Sequence, residues 1–232
     1  MKLILNKKPK NPIIIEGFPG LGFVGTIATE FLVEHTGAEK IGSIKSEESM
    51  PITAIHNSKL VDPLGIFYSK KYNMIILHSL NPVKDIEWKI ADILEQLVKQ
   101  VDAKEIISLE GVASPTETSN VFYYSKKNNK KFEKSNLKPL ANGIVLGVTA
   151  AILLNEKLPC SCLFVETHSA LPDSRGAAKL IEALDSYLDL KVNYKPLLAK
   201  AEEFEKKIRG LIEQGKIATA EKDKKEQLNY LG

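Results

Sequence analysis

The sequence is poor in cysteine, with only Cys160 and Cys162 among its 232 residues. In a C-x-C pattern the two thiols are too close along the chain for an unstrained disulfide, and they are too few to form a metal site alone. If the segment is a β-strand, both thiols point to the same face. We therefore interpret them as small buried apolar residues in a protein from a reducing environment.

The sequence also lacks a strong charge imbalance and a long apolar run. Lysine and arginine together number 32 against 29 acidic residues, so the net charge is only +3 and gives no strong attraction to nucleic acid. No stretch approaches the roughly 18 uncharged apolar residues of a membrane-spanning helix. The N-terminal MKLILNKKPKNP has too short an apolar part for a signal peptide. We expect a cytoplasmic protein that binds neither nucleic acid nor membrane.

Short β-branched runs alternate with amphipathic segments along most of the chain. These patterns predict strands over residues 13–16, 40–44, 52–56, 65–68, 72–78, 105–109, 121–124 and 160–166. They predict helices over residues 22–35, 84–100, 143–155, 173–188 and 196–214. The alternation predicts an α/β fold with helices on both faces of a mostly parallel sheet. Residues 1–214 would form this domain with its C-terminal helix, and residues 215–232 a charged tail.

The segment IEGFPGLGFVG connects the first of these strands to the first helix. Its Gly20, Gly22 and Gly25 have the G-x-G-x-x-G spacing of a loop that binds a dinucleotide pyrophosphate. An acidic residue is expected about 20 positions later, at the end of the next strand, to hold the ribose. Glu47 and Glu48 are near that spacing but follow the predicted end of the strand, which weakens the match.

A structural interpretation of the same glycines is the alternative. Gly17 and Gly20 would permit positive φ in the turn, while Gly22 and Gly25 would let the helix approach the sheet closely. The bulky Phe18-Pro19 also interrupts the proposed phosphate loop. We favour the structural role and expect no cofactor.

Polar residues near two other predicted strand ends form a candidate pocket. Glu110 and Glu166 lie at such ends, where sites in α/β proteins form, and His168 follows closely. A carboxylate and an imidazole can form an acid–base pair or part of a metal site, whereas Asp173 is better explained as a helix N-cap. Gly20, Glu110, Glu166 and His168 are therefore a candidate pocket, with no catalytic residue or metal ligand assigned.

A basic run, KKNNKKFEKSNLK over residues 126–138, places Phe132 among lysines. Aromatic and basic residues can together bind nucleic acid, but a charged surface loop or hairpin is the simpler interpretation. Such a loop can also steer an acidic protein partner.

Three motifs together resemble the PAC2 family, which comprises proteasome assembly chaperone 2 proteins and their archaeal homologues. The motifs are EGFPGLGFVGTIATEFLVEH, LEGVASP and VETHSALPDSRGAAKLIEAL, in that order along the chain. The resemblance implies a three-layer α/β/α fold similar to nucleoside phosphorylases, without an established catalytic site. It also implies assembly into homo-oligomers and binding to the α-subunits of the 20S proteasome.

The resemblance further suggests how the C-terminus acts. Chaperones of this family insert a hydrophobic-tyrosine-any motif between α-subunits, with the terminal carboxylate pairing with a lysine. This chain ends with Leu228, Tyr230, Leu231 and Gly232 as candidate partner-binding residues. Tyr230 is third from the end rather than second, which moves the carboxylate by about 3.5 Å relative to the ring.

Two functions remain open at this point. The first is a homo-oligomeric interaction protein that docks on the proteasome α-ring through its tail. The alternative is a nucleotide- or nucleoside-binding enzyme, either phosphorylase-like or an ATP-dependent carboxylate–amine ligase, which would use the candidate pocket.

Overall fold

The computed structural model describes residues 1–48, 53–56, 59–80, 83–114, 119–167, 171–194, 196 and 210. His168, most of the predicted helix over residues 196–214 and the whole tail lie outside these residues. The predictions for those segments therefore stay predictions.

In the part of the chain that the structure describes, eleven strands form one large sheet and one small sheet. They are β1 (Lys2–Leu5), β2 (Ile13–Gly17), β3 (Glu39–Lys45), β4 (Ala54–His56), β5 (Lys59–Val61), β6 (Leu64–Ser69), β7 (Met74–Ser79), β8 (Glu105–Ala113), β9 (Val121–Ser125), β10 (Lys138–Pro139) and β11 (Cys160–Thr167). The large sheet has the order β1-β3-β6-β7-β2-β8-β11-β9-β10, and β4 pairs only with β5.

The large sheet is mixed, so the prediction of a mostly parallel sheet is wrong. Its centre, β7-β2-β8-β11, is parallel. On one side of this centre, β6 pairs antiparallel with β7, β3 with β6, and β1 with β3. On the other side, β9 is antiparallel to β11. A four-residue connection between β6 and β7 is too short for the crossover that parallel pairing needs. This mixed pairing gives no support to a nucleoside-phosphorylase-like arrangement.

Helices cover both faces of the sheet, which confirms the three-layer prediction. They are α1 (Val24–His35), α2 (Glu87–Val101), α3 (Asn129–Lys134), α4 (Gly147–Leu154) and α5 (Ser174–Leu188). Neighbouring strand residues point to opposite faces. Ile15 accordingly packs in the core with α1 and α5, whereas Ile14 packs in the core with α2 and α4. We call the second side the α2/α4 face.

The basic run forms a short helix, α3, so its prediction as a loop or hairpin is wrong. Phe132 is fully buried, and its ring stacks on Tyr123 at 4.7 Å and on Tyr187 at 3.8 Å between centroids. The Nζ atom of Lys131 lies 3.9 Å from the centre of the Tyr187 ring. The aromatic residue is thus a core anchor and is not available for stacking on a base.

Three strands, β1, β5 and β10, lie outside the ranges that the sequence predicts, and α4 begins four residues later than predicted. β1 and β10 are the two edge strands of the large sheet, and β5 completes the small hairpin. α4 begins at Gly147 rather than at Gly143, because Gly147 adopts φ of +67°. Within the described ranges, no helix combines the length and the apolar character needed to span a membrane.

Candidate functional site

The glycine segment forms a tight turn between β2 and α1. A single turn of 3-10 helix, Leu21–Phe23, precedes α1. Gly22 and Phe23 have φ of +65° and +50°, whereas Gly20 is extended. The prediction that Gly17 and Gly20 supply the positive φ is therefore wrong, because the chain reverses two residues later than expected.

Close packing explains two of the glycines. A Cβ atom at Gly17 would overlap the backbone of Gly25, and a Cβ atom at Gly25 would overlap the carbonyl oxygen of Leu109. In both cases the distance from the added Cβ atom to the nearest backbone atom would be well under 3.0 Å, and real Cβ atoms essentially never come that close to another heavy atom. The start of α1 therefore lies directly on β2 and β8, which confirms the close approach predicted for Gly25.

The structure brings Gly20 and Glu110 together. A Cβ atom at Gly20 would overlap the Oε1 atom of Glu110, so the carboxyl group lies directly against the backbone of the glycine turn. A phosphate bound beside Gly20 would meet this acidic group, where a dinucleotide loop offers only backbone amides. The arrangement disfavours the pyrophosphate interpretation of the glycine spacing.

Burial raises the pKa of the Glu110 side chain to about 7. Two hydrogen bonds oppose the rise: Thr149 Oγ1 donates to Oε2 at 2.9 Å, and the Gly111 amide donates to Oε1 at 3.1 Å. Thr149 lies in the first turn of α4. Glu110 therefore connects the glycine turn, β8 and α4.

Glu16 is a second acid with a raised pKa, and unlike the half-buried Glu110 its side chain is fully buried. Its side chain has 0% exposure, and no hydrogen bond of acceptable geometry reaches either carboxyl oxygen. Burial raises its pKa to about 8, and the charge of Glu110 adds to the rise, whereas the nearby Ser108 hydroxyl and Phe18 amide lower it. The sequence feature that indicates a buried acid here is the position of Glu16 inside the apolar run IIIEG, just before the glycine turn.

Glu166 lies on β11, where it binds both ends of the connection between β8 and β9. It accepts hydrogen bonds from Ser114 Oγ at 3.1 Å and from the side-chain amide of Asn120 at 2.7 Å. The Asn120 backbone amide donates a further bond at 3.1 Å. These contacts link the end of β8 to the start of β9. His168, its predicted partner, is outside the described residues.

Asp173 caps α5, as predicted from its position. Its Oδ1 atom accepts the Gly176 amide at 2.8 Å, and its own amide donates to the Gly22 carbonyl at 2.8 Å. Asp173 thus fixes the start of α5 to the glycine turn. Among the residues that the structure describes, no group of three or more histidine, cysteine or acidic side chains could hold a metal ion.

Large apolar side chains are exposed around the same edge of the sheet. Ile144 and Leu146, just before α4, are 86% and 76% exposed, and Trp88 in the first turn of α2 is 62% exposed. Because α2 ends where β8 begins, its first turn lies at the opposite end of β8, where α4 also begins beside Glu110. Exposed apolar residues of this size are typical of an interaction surface.

Comparison with known proteins shows which family this sequence matches. The sequence profile of the PAC2 family matches residues 14–212. An uncharacterized protein of Methanocaldococcus jannaschii is 29% identical over 232 aligned residues, which cover 96% of this chain and 94% of that protein.

Two solved structures from Pyrococcus furiosus resemble this one. PbaA, described as an archaeal homolog of proteasome-assembly chaperone, has a TM-score of 0.84 and 31% identity, covering 94% of this chain and 99% of that one. PbaB, described as an archaeal proteasome activator, has a TM-score of 0.75 and 21% identity, covering 90% of this chain and 98% of that one. At the latter identity the likeness shows the fold alone.

Proposed function

This chain belongs to the PAC2 family, and we propose that it is a proteasome assembly chaperone-like interaction protein rather than an enzyme. The observation that carries the proposal is the likeness to PbaA in both sequence and fold over almost the whole chain. The exposed apolar side chains Trp88, Ile144 and Leu146 support a role in binding other proteins.

The proposed partner is the α-ring of the 20S proteasome, approached in the cytoplasm by a homo-oligomer of this chain. Leu228, Tyr230, Leu231 and Gly232 would provide the contact, with the tyrosine ring in an apolar pocket and the terminal carboxylate on a basic side chain. Several tails on one oligomer would bind together, so avidity multiplies a weak single-tail affinity.

The candidate pocket supports this non-enzymatic proposal. Glu110 fills the space beside Gly20 and bonds to Thr149, and Glu166 bonds to Ser114 and Asn120. Glu166 thus fixes the connection between β8 and β9, and Glu110 fixes the start of α4. No specific observation favours the alternative of a nucleotide- or nucleoside-binding enzyme.

Native mass spectrometry with an archaeal 20S proteasome tests the proposal. The full-length chain, a variant lacking residues 228–232 and Tyr230→Phe are compared at equal concentration. We expect the full-length oligomer to bind, the deletion to abolish binding and Tyr230→Phe to retain most of it, because the ring remains.

The outcomes separate the parts of the proposal. Equal binding by the deleted chain would show that the tail is not the contact, while leaving the proteasome as partner. Absence of binding by every form would refute the proteasome as partner. A monomer mass for the free chain would refute homo-oligomerisation.

A further inference from the structure

α4 differs from α2 and α5 because its solvent side is apolar. α5 presents Arg175 and Lys179 to solvent, and α2 presents Lys89 and Asp92. Residues 139–155, which contain the whole of α4, include no charged side chain. A helix that is apolar all round is normally buried all round, so the outer side of α4 needs an explanation.

The burial pattern of α4 shows which residues face outward. Four of its eight residues are buried against the body of the domain. The other four face outward, with small residues in the first half and leucines in the second: Gly147, Ala150, Leu153 and Leu154. Leu154 is 65% exposed, and Leu146, directly before the helix, is 76% exposed.

Trp88 on α2 extends this apolar surface. The side-chain amide of Asn155, at the end of α4, donates a hydrogen bond to Glu95 of α2 at 3.4 Å. Trp88 precedes Glu95 by two helical turns and lies on the same side of α2. Since both helices begin at the same end of β8, Trp88 lies beside the start of α4. We call Trp88, Ile144, Leu146 and the four outward residues of α4 the outer α4 surface.

The outer α4 surface is large enough to be the apolar centre of a protein interface. The exposed parts of Trp88, Ile144, Leu146 and Leu154 amount to on the order of 350 Å², taking roughly 200 Å² for a tryptophan side chain and roughly 100 Å² for an aliphatic one. A standard interface buries about 800 Å² on each partner, of which somewhat more than half is apolar. The surface thus supplies most of the apolar area that one side of such an interface needs.

We propose that the outer α4 surface packs against the same surface of a second copy of this chain, across a twofold axis near Ala150. The two α4 helices run antiparallel in this contact. The inference rests on the homo-oligomer of the proposed function and names the surface that forms it.

The shape of α4 favours a second copy as the occupant. A twofold interface must be complementary to itself. In the antiparallel pair, the leucines at the end of one α4 lie over Gly147 and Ala150 at the start of the other. Gly147 leaves room for them, because a Cβ atom added there would meet nothing within 4 Å.

The charges of the two copies also permit this contact. The outer α4 surface has no charged group that would select a charged partner or that would be left buried without one. Antiparallel helices place the positive end of one helix dipole beside the negative end of the other. The same arrangement brings Trp88 of each copy beside Leu154 of the other.

The number of copies and its response to a buried charge test the inference. Native mass spectrometry and sedimentation velocity compare the unmodified chain with Leu154→Glu and with Leu154→Met as the matched control. We expect an even number of copies in the unmodified assembly and half that number or fewer in Leu154→Glu. The dissociation constant of this step should rise at least about tenfold, because the new carboxylate would be buried against apolar groups. Leu154→Met should assemble normally, since it keeps an apolar side chain of similar volume.

A charge pair tests the antiparallel arrangement. Leu146→Lys and Leu154→Glu chains are examined separately and after mixing, with one chain labelled with ¹⁵N so that mass distinguishes mixed from uniform pairs. We expect each chain alone to associate poorly and the mixture to form mixed pairs, because residue 146 of one copy then faces residue 154 of the other with opposite charge. Disruption by each charge without recovery in the mixture would overturn the antiparallel arrangement.

Trp88 gives a measurement on the unmodified chain, which does not depend on whether a variant folds. It is the only tryptophan in the sequence, so the fluorescence of the chain reports this surface. We expect acrylamide quenching to fall at least about twofold on association, because the second copy excludes water from the ring. Quenching that does not change between the dissociated and the associated chain would overturn the inference, whether the ring stays exposed or is covered by a segment of its own chain.

The outcomes separate this inference from the proposed function. If Leu154→Glu assembles as tightly as the unmodified chain, or if the assembly has an odd number of copies, the outer α4 surface is not the twofold contact, although the homo-oligomer stands. A monomer at every concentration of the unmodified chain would refute both. Binding of the tail to the proteasome is decided independently, by the deletion of residues 228–232.

Discussion

Replacing Gly25 with alanine is the sharpest test of the packing role of the glycine turn. The added Cβ atom would overlap the Leu109 carbonyl oxygen and lie 3.0 Å from the Gly17 Cα atom and 3.3 Å from the Leu109 carbonyl carbon. All three atoms belong to the backbone of buried strands and cannot rotate away. α1 must therefore move away from the sheet into which it packs Val24 and Ile27.

The magnitude follows from two opposing effects. Overpacking a core costs about 1–3 kcal/mol, and more when only backbone can yield, so we take about 3–4 kcal/mol for Gly25→Ala. Alanine favours a helix over glycine by about 1 kcal/mol. The net loss of unfolding free energy is then about 2–3 kcal/mol, which lowers the Tm by roughly 5–10 °C for a domain of this size.

Thermal and urea denaturation of Gly25→Ala and Gly210→Ala measure this difference. Gly210 has helical backbone, and a Cβ atom there would meet nothing within 4 Å, so its substitution should be neutral or slightly stabilising. A Gly25→Ala chain as stable as the unmodified one would refute the packing argument. If that stable chain also lost a nucleotide-induced thermal shift seen in the unmodified chain, the dinucleotide interpretation would be favoured.

Two further substitutions test buried and capping contacts. Tyr187→Phe keeps the ring stacked on Phe132 but removes the hydroxyl that donates to Glu105 at 2.9 Å, so we expect a loss of about 1–3 kcal/mol in urea denaturation. An unchanged midpoint would mean that the Ser161 hydroxyl, which also donates to Glu105, is sufficient. Asp173→Ala removes the cap of α5 and should cost about 1 kcal/mol, whereas Asp173→Asn should retain most of the stability. Equal losses in both would argue against a capping role.

Much of the local structure is predictable because periodicity reports which residues are buried. The apolar stripe of α2 and the β-branched run of β2 identify a helix and a strand without knowledge of their neighbours. Asp173 is recognisable as a cap from its position alone. The sequence does not predict the helix in the basic run, because the burial of Phe132 depends on Tyr123 and Tyr187, which belong to distant segments.

The candidate site was only partly predictable. The position of Glu110 at the end of a strand pattern predicts a place in the candidate pocket, and its contact with Gly20 agrees with that prediction. The sequence does not predict the burial of Glu16, since an acid in a strand can face either solvent or core. Its burial and raised pKa arise from β8 and from the α2/α4 face, which no local pattern describes.

The sequence by itself determined the type of most elements, the cap of α5 and, through its three motifs, the PAC2 family. Those features depend on residues close together in the chain. The tertiary structure alone decided that the sheet is mixed and that Glu16 and Glu110 lie on the same face of it, with Glu110 bonded to α4. Strand order and register bring residues nearly 100 positions apart onto one face, and desolvation there raises the pKa of both acids.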